Sequence, residues 1–280
     1  MTTRGRHRGI RAAAILGAIL TSIVALVLPL TAGPAHASNV PYVVVMGDSY
    51  TANFPDILFD PSGCQKSETS WPKQLQRRTG RPMINVSCSG TDLAGGSYNA
   101  FDQAQLARKR GGFNQNTRAV LIQLGFNSFG GGPGLFERTS GTFPTLTGAN
   151  YARQIKPLVT YIRHQAPRAT IAFVGYPQLF APGAQHMCNR VAGVPVQQPD
   201  RTAAPTFMRK LQAAQQQAAS SLGVRFINLN QATNGHGLCG AQPWVNGTLF
   251  PRPGLYEHFL FAHPTVEGDA VAARVIANAS

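Results

Sequence analysis

Four short segments of the sequence carry residues whose types are suited to acyl transfer. Gly47-Asp48-Ser49 offers a hydroxyl, and His263 offers a base that could take its proton. Gly90 and Asn127 offer a backbone N–H and a side-chain amide, which are the groups that stabilise a developing oxyanion. Together the four segments indicate attack of Ser49 on a carbonyl carbon, with His263 as the general base.

Each segment alone is weak support for catalysis. Gly-Asp-Ser is also typical of an ordinary turn, and His263-Pro264 is typical of a helix start, where Pro264 fits the first helical position. The positions of three of these residues favour catalysis, because Ser49, Gly90 and Asn127 each follow a separate apolar run. In open α/β sheets the carboxyl ends of the strands form the substrate edge. These three residues are therefore expected at one edge of a sheet.

Five apolar runs rich in β-branched residues predict the strands of that sheet. They occupy residues 42–46, 83–86, 119–124, 170–174 and 224–227. Segments of helical character lie between and after them, at 71–79, 100–110, 149–165, 205–222 and 264–279. Strands that alternate with helices predict an α/β fold, a three-layer α/β/α sandwich of flavodoxin-like type with a mostly parallel five-stranded sheet.

Four long connections rich in glycine and proline interrupt this alternation, at residues 54–70, 129–148, 177–204 and 230–261. Loops of this length in a compact domain are usually functional or cross-linked. Since no internal repeat or linker is visible, a single domain over residues 38–280 is predicted.

The first 37 residues have the order of a secretory signal peptide. A basic stretch precedes an apolar run from Ala12 to Leu30, and the run is followed by Ala35-His36-Ala37. The alternative is a membrane anchor, because about 20 apolar residues can span a bilayer. The Ala-x-Ala triplet favours cleavage before Ser38, which predicts a secreted protein.

The chain is basic, and loss of the four arginines in the predicted signal peptide lowers its formal charge from +14 to +10. The basic residues are dispersed, and the densest groups are Arg77-Arg78 and Arg108-Lys109-Arg110. No aromatic residues interleave with them, so a nucleic-acid partner is not expected. Solvated helix faces are the simpler interpretation, and weak attraction to an anionic envelope or lipid surface is the alternative.

Four cysteines in an exported chain predict disulfide bonds. Of the three possible pairings, Cys64 with Cys88 and Cys188 with Cys239 is preferred, because each bond would join neighbouring loops. Metal binding is the rival interpretation, and no Cys-x-x-Cys or Cys-x-x-His spacing supports it.

The order Gly-Asp-Ser, Ser-Gly, Gly-x-Asn and His-Pro resembles that of the SGNH, or GDSL, hydrolase family. The resemblance covers nearly the whole mature chain and implies the same three-layer fold. It implies Ser49 as nucleophile, His263 as general base, and an oxyanion hole made of the N–H groups of Ser49 and Gly90 and the amide of Asn127. No metal or organic cofactor is required for this chemistry.

The chain is most similar to secreted GDSL esterases and lipases of actinobacterial type. Gly47-Asp48-Ser49-Tyr50 is followed by Gly63-Cys64-Gln65-Lys66-Ser67, and Gly235-His236-Gly237-Leu238-Cys239 leads to Trp244-Val245-Asn246-Gly247. Those proteins are similar in carrying disulfides within loops, which supports the preferred pairing. They often have a third bridge that four cysteines cannot supply.

Two positions depart from the family pattern. Ser128 replaces the aspartate that usually ends the third block, and Leu260 replaces the aspartate that usually precedes the histidine by three residues. Leucine cannot orient an imidazole, so another group must hold the second ring nitrogen of His263. A backbone carbonyl in 257–261 is the first expectation and the Glu257 carboxylate is the second.

Other side chains near these blocks have open roles. His236 and His258 fit loop residues better than bases, since neither precedes a helix as His263 does. Tyr50, Phe126 and Phe129 flank the predicted catalytic positions, where they could line an acyl pocket or simply pack in the core.

The leading hypothesis is hydrolysis of carboxylic esters by a monomeric, secreted Ser–His enzyme that acts on a lipid or an acylated glycan. O-deacetylation of a polysaccharide is the alternative within hydrolases, because the fold does not determine the substrate. A catalytically silent envelope-binding protein is the alternative from another class.

Overall fold

Five parallel strands form the central sheet of the computed structural model, which describes residues 42–54, 64–249 and 260–279. The strands are β1 (Tyr42–Gly47), β2 (Met83–Asn85), β3 (Thr117–Gln123), β4 (Thr170–Val174) and β7 (Arg225–Ile227). Their order across the sheet is β2-β1-β3-β4-β7, and every neighbouring pair is parallel. The predicted signal peptide lies outside the described residues.

Helices cover both faces of this sheet. They are α1 (Ser49–Ala52), α2 (Trp71–Thr79), α3 (Ala100–Lys109), α4 (Gly148–Gln165), α5 (Ala203–Leu222), α6 (Leu229–Ala232) and α7 (Val266–Ala279). Successive strand residues point to opposite faces, so β1 divides its side chains between two cores. Val44 and Met46 pack with α3, α4 and α5, whereas Val43 and Val45 pack with α2 and α7. The predicted α/β fold with a five-stranded parallel sheet is confirmed.

Local sequence signals fix the ends of several helices. Asn99 and Asp102 form a capping box at the start of α3, in which each side chain bonds the other residue's backbone N–H. Gly80 and Gly223 end α2 and α5 in the left-handed conformation that glycine adopts at no steric cost.

The start of α7 differs from the sequence prediction. Pro264 is not the first helical residue, because it pairs with Val245 in an isolated antiparallel bridge and the helix begins at Val266. Thr265 Oγ1 accepts a hydrogen bond from Gly268 N at 3.1 Å, as a helix N-cap does. His263 therefore lies in a bend, and Pro264 is a bridge residue two positions before the helix.

The long connection at residues 177–204 also differs, since it contains an antiparallel hairpin of β5 (Met187–Val191) and β6 (Val194–Gln198). Ala192 and Gly193 form its two-residue turn, and both have positive φ. One disulfide joins Cys188 of the hairpin to Cys239, and another joins Cys64 to Cys88. These are the two pairs that the sequence predicts.

Within the described residues, no helix is long and apolar enough to cross a bilayer.

Candidate active site

Ser49 lies where β1 ends and α1 begins, at the carboxyl edge of the sheet, and its side chain is partly exposed. Asp48 is the N-cap of α1, and its carboxylate accepts a hydrogen bond from Tyr50 N at 3.0 Å. A side chain at Gly47 would place its Cβ 2.0 Å from Thr51 Oγ1, so only glycine allows this turn. The turn holds the Ser49 hydroxyl towards the open edge.

Gln103, a fully buried residue of α3, fixes the peptide groups of this turn. Its Oε1 accepts from Gly47 N at 2.9 Å, and its Nε2 donates to Gly47 O at 2.7 Å. The same Nε2 also donates to Thr91 Oγ1 at 2.8 Å. One side chain therefore connects the Ser49 turn with the loop that follows β2.

His263 lies beside Ser49 although the two are 214 positions apart in the chain. Its Nε2 lies 2.8 Å from Ser49 Oγ, and its Nδ1 lies 2.8 Å from the carbonyl oxygen of Phe261. A carbonyl can only accept, so Nδ1 carries the proton and Nε2 presents its lone pair to the serine hydroxyl. This is the tautomer that a general base needs.

Among the described residues, the acceptor for Nδ1 is a main-chain group. Leu260 supplies only its backbone oxygen, which accepts from His263 N at 3.1 Å. Glu257, the alternative acceptor, lies outside the described residues, as does His258. Ala262 separates the acceptor from the imidazole, and its φ of 60° is a left-handed conformation that costs an L-residue about 1–2 kcal/mol.

Main-chain hydrogen bonds also hold the loop that carries His263. Asn246 N donates to His263 O at 2.8 Å, and Ala262 N donates to Asn246 O at 2.8 Å. Asn53, the left-handed cap of α1, donates to Pro264 O at 3.0 Å and to Asp269 Oδ2 at 2.8 Å. Burial raises the pKa of the Asp269 carboxyl well above its usual range.

The predicted oxyanion donors lie on loops around Ser49. Gly90 follows β2 with a φ of 76°, which favours glycine, and it is exposed. Within the described part of the chain, neither Ser49 N nor Gly90 N donates a hydrogen bond. Both N–H groups are therefore available to a ligand.

Asn127, the third predicted donor, begins a short 3₁₀ turn after β3. Its Nδ2 donates to Thr91 O at 3.1 Å, which leaves the second amide hydrogen for another acceptor. Ser128 connects the same two loops, because its Oγ accepts from Leu93 N at 2.7 Å and donates to Asp92 Oδ1 at 3.1 Å. The serine at this departure from the family pattern thus tethers the Asn127 turn to the Gly90 loop.

Asp48 and Tyr176 form a further bridge, between the Ser49 turn and the Asn127 turn. Tyr176 Oη donates to Asp48 Oδ2 at 2.5 Å and accepts from Phe126 N at 3.1 Å. Burial raises the pKa of the Asp48 carboxyl from 3.8 to about 7, while the Tyr176 hydrogen bond opposes that rise. The hydroxyl of Tyr176 therefore joins the residue before Ser49 to the residue before Asn127.

The aromatic residues near the site divide into buried and partly exposed groups. Tyr50 stacks on the His263 ring with centroids 4.1 Å apart and is fully buried. Phe126 and Phe129 are 5% and 7% exposed, so these three rings pack in the core. The partly exposed rings are Phe136 and Phe261, which meet edge to face at 4.9 Å.

Gln103 and Tyr176 were missed by the sequence reasoning, although each left a signal. Gln103 lies on the apolar face of α3, among Ala100, Ala104 and Ala107, where a buried amide needs partners. Tyr176 follows β4 by two residues, the same offset that separates Ser49 from β1.

No group of three or more potential metal ligands occurs among the described residues. His236, one of the other histidines considered, stacks on Trp244 at 3.3 Å and bonds Gln242 O through Nδ1 at 2.6 Å. It is engaged in its own loop.

This fold, with a serine–histidine pair at the carboxyl edge of its sheet, is that of an SGNH-type hydrolase. A family model described as the GDSL-like Lipase/Acylhydrolase family matches residues 45–271. The chain belongs to this family, and it is a carboxylic ester hydrolase.

Individual relatives agree with this assignment. Lipase 2 of Streptomyces coelicolor is 25% identical over 284 residues, which cover 91% of this chain and 92% of the relative. The extracellular lipase of Streptomyces rimosus has a similar fold, with a TM-score of 0.62, 21% identity, and coverage of 86% of this chain and all of the other. Phospholipase A1 of Streptomyces albidoflavus NA297 has a TM-score of 0.60 and 20% identity over the same shares.

Proposed function

We propose that Ser49 and His263 form the catalytic dyad of this ester hydrolase and that the Phe261 carbonyl completes it. The observation that carries the proposal is the continuous line of contacts from Ser49 Oγ through both nitrogens of His263 to Phe261 O, each 2.8 Å long. The carbonyl takes the place of the aspartate that is absent at Leu260.

The reaction follows from the proton positions. His263 Nε2 removes the Ser49 proton as Oγ attacks the ester carbonyl, and the imidazolium that forms is stabilised through Nδ1 by the Phe261 oxygen. The Ser49 and Gly90 N–H groups and the Asn127 amide hold the oxyanion. The imidazolium then protonates the leaving alcohol, and water activated by His263 releases the acid from Ser49.

The partly exposed aromatic pair favours an ester of an apolar acid. Phe261 belongs to the loop of His263, and Phe136 adjoins its ring and stacks on Phe126 at 6.4 Å. An acyl chain lying on these rings would bury apolar area worth about 25 cal/mol per Å². An acetyl group is too short to gain from this contact.

The protein is proposed to act outside the cell as a soluble domain of residues 38–280. The order of the first 37 residues supports export, and the two disulfide bonds fit an oxidising compartment.

The dyad is tested by hydrolysis of p-nitrophenyl esters and by labelling with a fluorophosphonate probe. Ser49→Ala and His263→Ala are each expected to lower kcat at least 1,000-fold, and the probe is expected to label wild type at Ser49 only. A folded wild type that neither reacts with the probe nor hydrolyses any ester would instead support a silent binding protein. Full activity of Ser49→Ala would end the dyad proposal.

Substrate class is tested with acyl chains from acetyl to decanoyl and with acetylated xylan. Phe136→Ala is expected to lower kcat/KM about tenfold for octanoyl esters and less than twofold for acetyl esters. Phe101→Ala removes a partly exposed phenylalanine on α3 and is the matched control, with no chain-length effect expected. Faster turnover of acetylated xylan than of octanoyl esters would favour the polysaccharide deacetylase.

A further inference from the structure

The edge of the sheet opposite Ser49 carries a row of arginines. Arg81 precedes β2 by two residues, Arg118 is the second residue of β3, Arg168 precedes β4 by two residues, and Arg225 begins β7. All four are exposed. Four of the five strands therefore begin beside an arginine, and at a strand spacing of about 4.8 Å the row extends over roughly 19 Å.

Helix ends add four cations to this edge, because helices that connect parallel strands finish where the next strand begins. Exposed Arg78 lies at the end of α2, Arg108 and Lys109 at the end of α3, and Arg163 at the end of α4. We call these eight residues the basic edge.

Compensation of helix dipoles explains only part of the basic edge. Arg163 donates to the carbonyls of Leu222 and Gly223 at the end of α5, and Arg225 donates to Ala279 O at the end of α7. Arg81 and Arg168 also lie close to helix ends, two residues after α2 and three after α4. Within the described residues, however, neither guanidinium donates to a helix carbonyl, so both stay available to a ligand.

The acidic residues lie at the opposite edge of the sheet, where the strands end. Every acidic residue in the described ranges lies on a loop at the carboxyl edge or in the first turn of a helix that begins there: Asp48, Glu68, Asp92, Asp102, Glu137, Asp200, Glu267 and Asp269. Across these ranges the only salt bridge joins Lys73 to Glu68, so none of the eight cations is neutralised by a carboxylate. The basic edge therefore presents uncompensated positive charge to solvent.

The composition of this edge limits what can bind there. The large apolar side chains that are exposed in the described structure are Phe101, Val194, Val196 and Leu249, and none lies at the basic edge. An amphipathic membrane contact needs such side chains to enter the bilayer, and a single-stranded nucleic acid needs aromatic stacking platforms. Guanidinium groups in a row instead match phosphate oxygens, which they bind in pairs.

Orientation further separates the candidates. Ser49 lies at the carboxyl edge, so a partner held at the amino edge leaves the active site facing away from it. A membrane that contained the ester substrate would then lie at the edge of the sheet remote from Ser49. We infer that the basic edge binds an extended anionic polymer that bears phosphate groups, and that the enzyme stays active while tethered to it.

The test measures binding of long-chain inorganic polyphosphate to the mature protein over a range of salt concentrations. The edge variant combines Arg81→Gln, Arg118→Gln and Arg168→Gln. The control variant combines Arg153→Gln, Lys156→Gln and Arg274→Gln, which replace three exposed cations of α4 and α7. Its net charge changes by the same amount as that of the edge variant.

The edge variant is expected to bind polyphosphate at least tenfold more weakly than wild type, and the control variant less than threefold. The slope of log affinity against log salt should fall in magnitude by about 2 in the edge variant, because each lost phosphate contact removes about 0.7 for a flexible strand. Saturating polyphosphate should change hydrolysis of a soluble p-nitrophenyl ester by less than twofold.

Three results would overturn the inference. Equal weakening in both variants would mean that only net charge matters, and inhibition by polyphosphate would mean that the polymer covers the active site. The protein could also bind phosphatidylglycerol vesicles or single-stranded DNA more tightly than polyphosphate. If the edge variant lost that binding, the surface would be assigned to a membrane or to nucleic acid. None of these results bears on the Ser49 dyad, which the ester assays test separately.

Discussion

The two halves of the proposed dyad, Ser49 and His263, are held by different kinds of contact. Side chains fix the turn that carries Ser49, since Gln103 bonds both peptide groups of Gly47 and Tyr176 bonds Asp48. Main-chain groups make the hydrogen bonds at Ala262 and His263, and the Asn53 side chain adds one to the Pro264 carbonyl. Side-chain support disappears when one residue changes, whereas main-chain support depends on the path of the backbone. The position of Ser49 should therefore be more sensitive than that of His263 to substitutions in its surroundings.

Gln103→Leu is the strongest test of side-chain support. It leaves the buried Gly47 N–H without an acceptor and breaks the contact with Thr91, so a loss of about 3 kcal/mol in unfolding free energy is expected. Turnover should fall more than tenfold because the Ser49 turn and the Gly90 loop lose their link. Urea unfolding and p-nitrophenyl ester kinetics measure the two effects.

Gln105→Leu is the matched control, because Gln105 is exposed on the same helix. It should change stability by less than about 0.5 kcal/mol. If both variants were equally stable and equally active, Gln103 would have no supporting role.

Tyr176→Phe tests the bridge between Asp48 and Phe126. Loss of one hydroxyl should lower kcat about tenfold and leave KM within twofold, because the oxyanion donors shift relative to Ser49 while the substrate surface is unchanged. Tyr151→Phe removes another fully buried hydroxyl, bonded to Leu124 O, and should keep kcat within twofold. A proportional loss of kcat in both variants would show that buried hydroxyls act only through stability.

Asp48→Asn tests the buried carboxyl through pH. The pKa of Asp48 is raised from 3.8 to about 7, so between these values the folded protein keeps a proton that the unfolded chain has released. Its stabilisation is therefore complete below about pH 4 and is lost as the pH rises through about 7. Between pH 4 and pH 7, the unfolding free energy of wild type should therefore fall relative to that of the variant by up to about 1.4 kcal/mol per pH unit.

Thermal or urea unfolding at several pH values measures this difference. Above pH 8 the difference should become constant, which provides an internal control. Parallel stability curves from pH 4 to pH 7 would contradict the raised pKa.

Asn246→Ala should have the smallest effect, although Asn246 makes two backbone hydrogen bonds to the His263 loop. Alanine keeps the same N–H and C=O groups, and the side chain contributes only a 3.3 Å contact to Pro264 O. We expect kcat within threefold of wild type in the ester assay. A loss as large as that of Gln103→Leu would show that the base also depends on side-chain support.

Some elements of the fold could be predicted from the sequence and others could not. Strands β1 and β3 each contain an uninterrupted apolar run, which predicts their positions, and the ends of these runs point to Ser49 and Asn127. The hairpin of β5 and β6 was not predicted, because its turn is Ala192-Gly193 instead of the usual Asn-Gly and β6 is exposed throughout most of its length.

The partner of His263 could be narrowed to a range of residues but not identified. Every residue has a carbonyl, so residue types do not say which one accepts a hydrogen bond. The left-handed conformation of Ala262 accompanies the Phe261 contact. An alanine between a phenylalanine and a histidine does not predict that conformation. Gln103 shows the opposite case, since an amide on an apolar helix face was a visible signal.

Phe261 combines two tasks in one residue, because its carbonyl bonds His263 while its ring meets Phe136. Any force that displaces the ring is transmitted through a few covalent bonds to the oxygen that orients the base. An engineer who reshapes the aromatic surface for a new substrate will therefore alter the catalytic step as well as binding. The Phe136 ring has no hydrogen-bonding group with which to hold the imidazole, so it is the better position at which to begin.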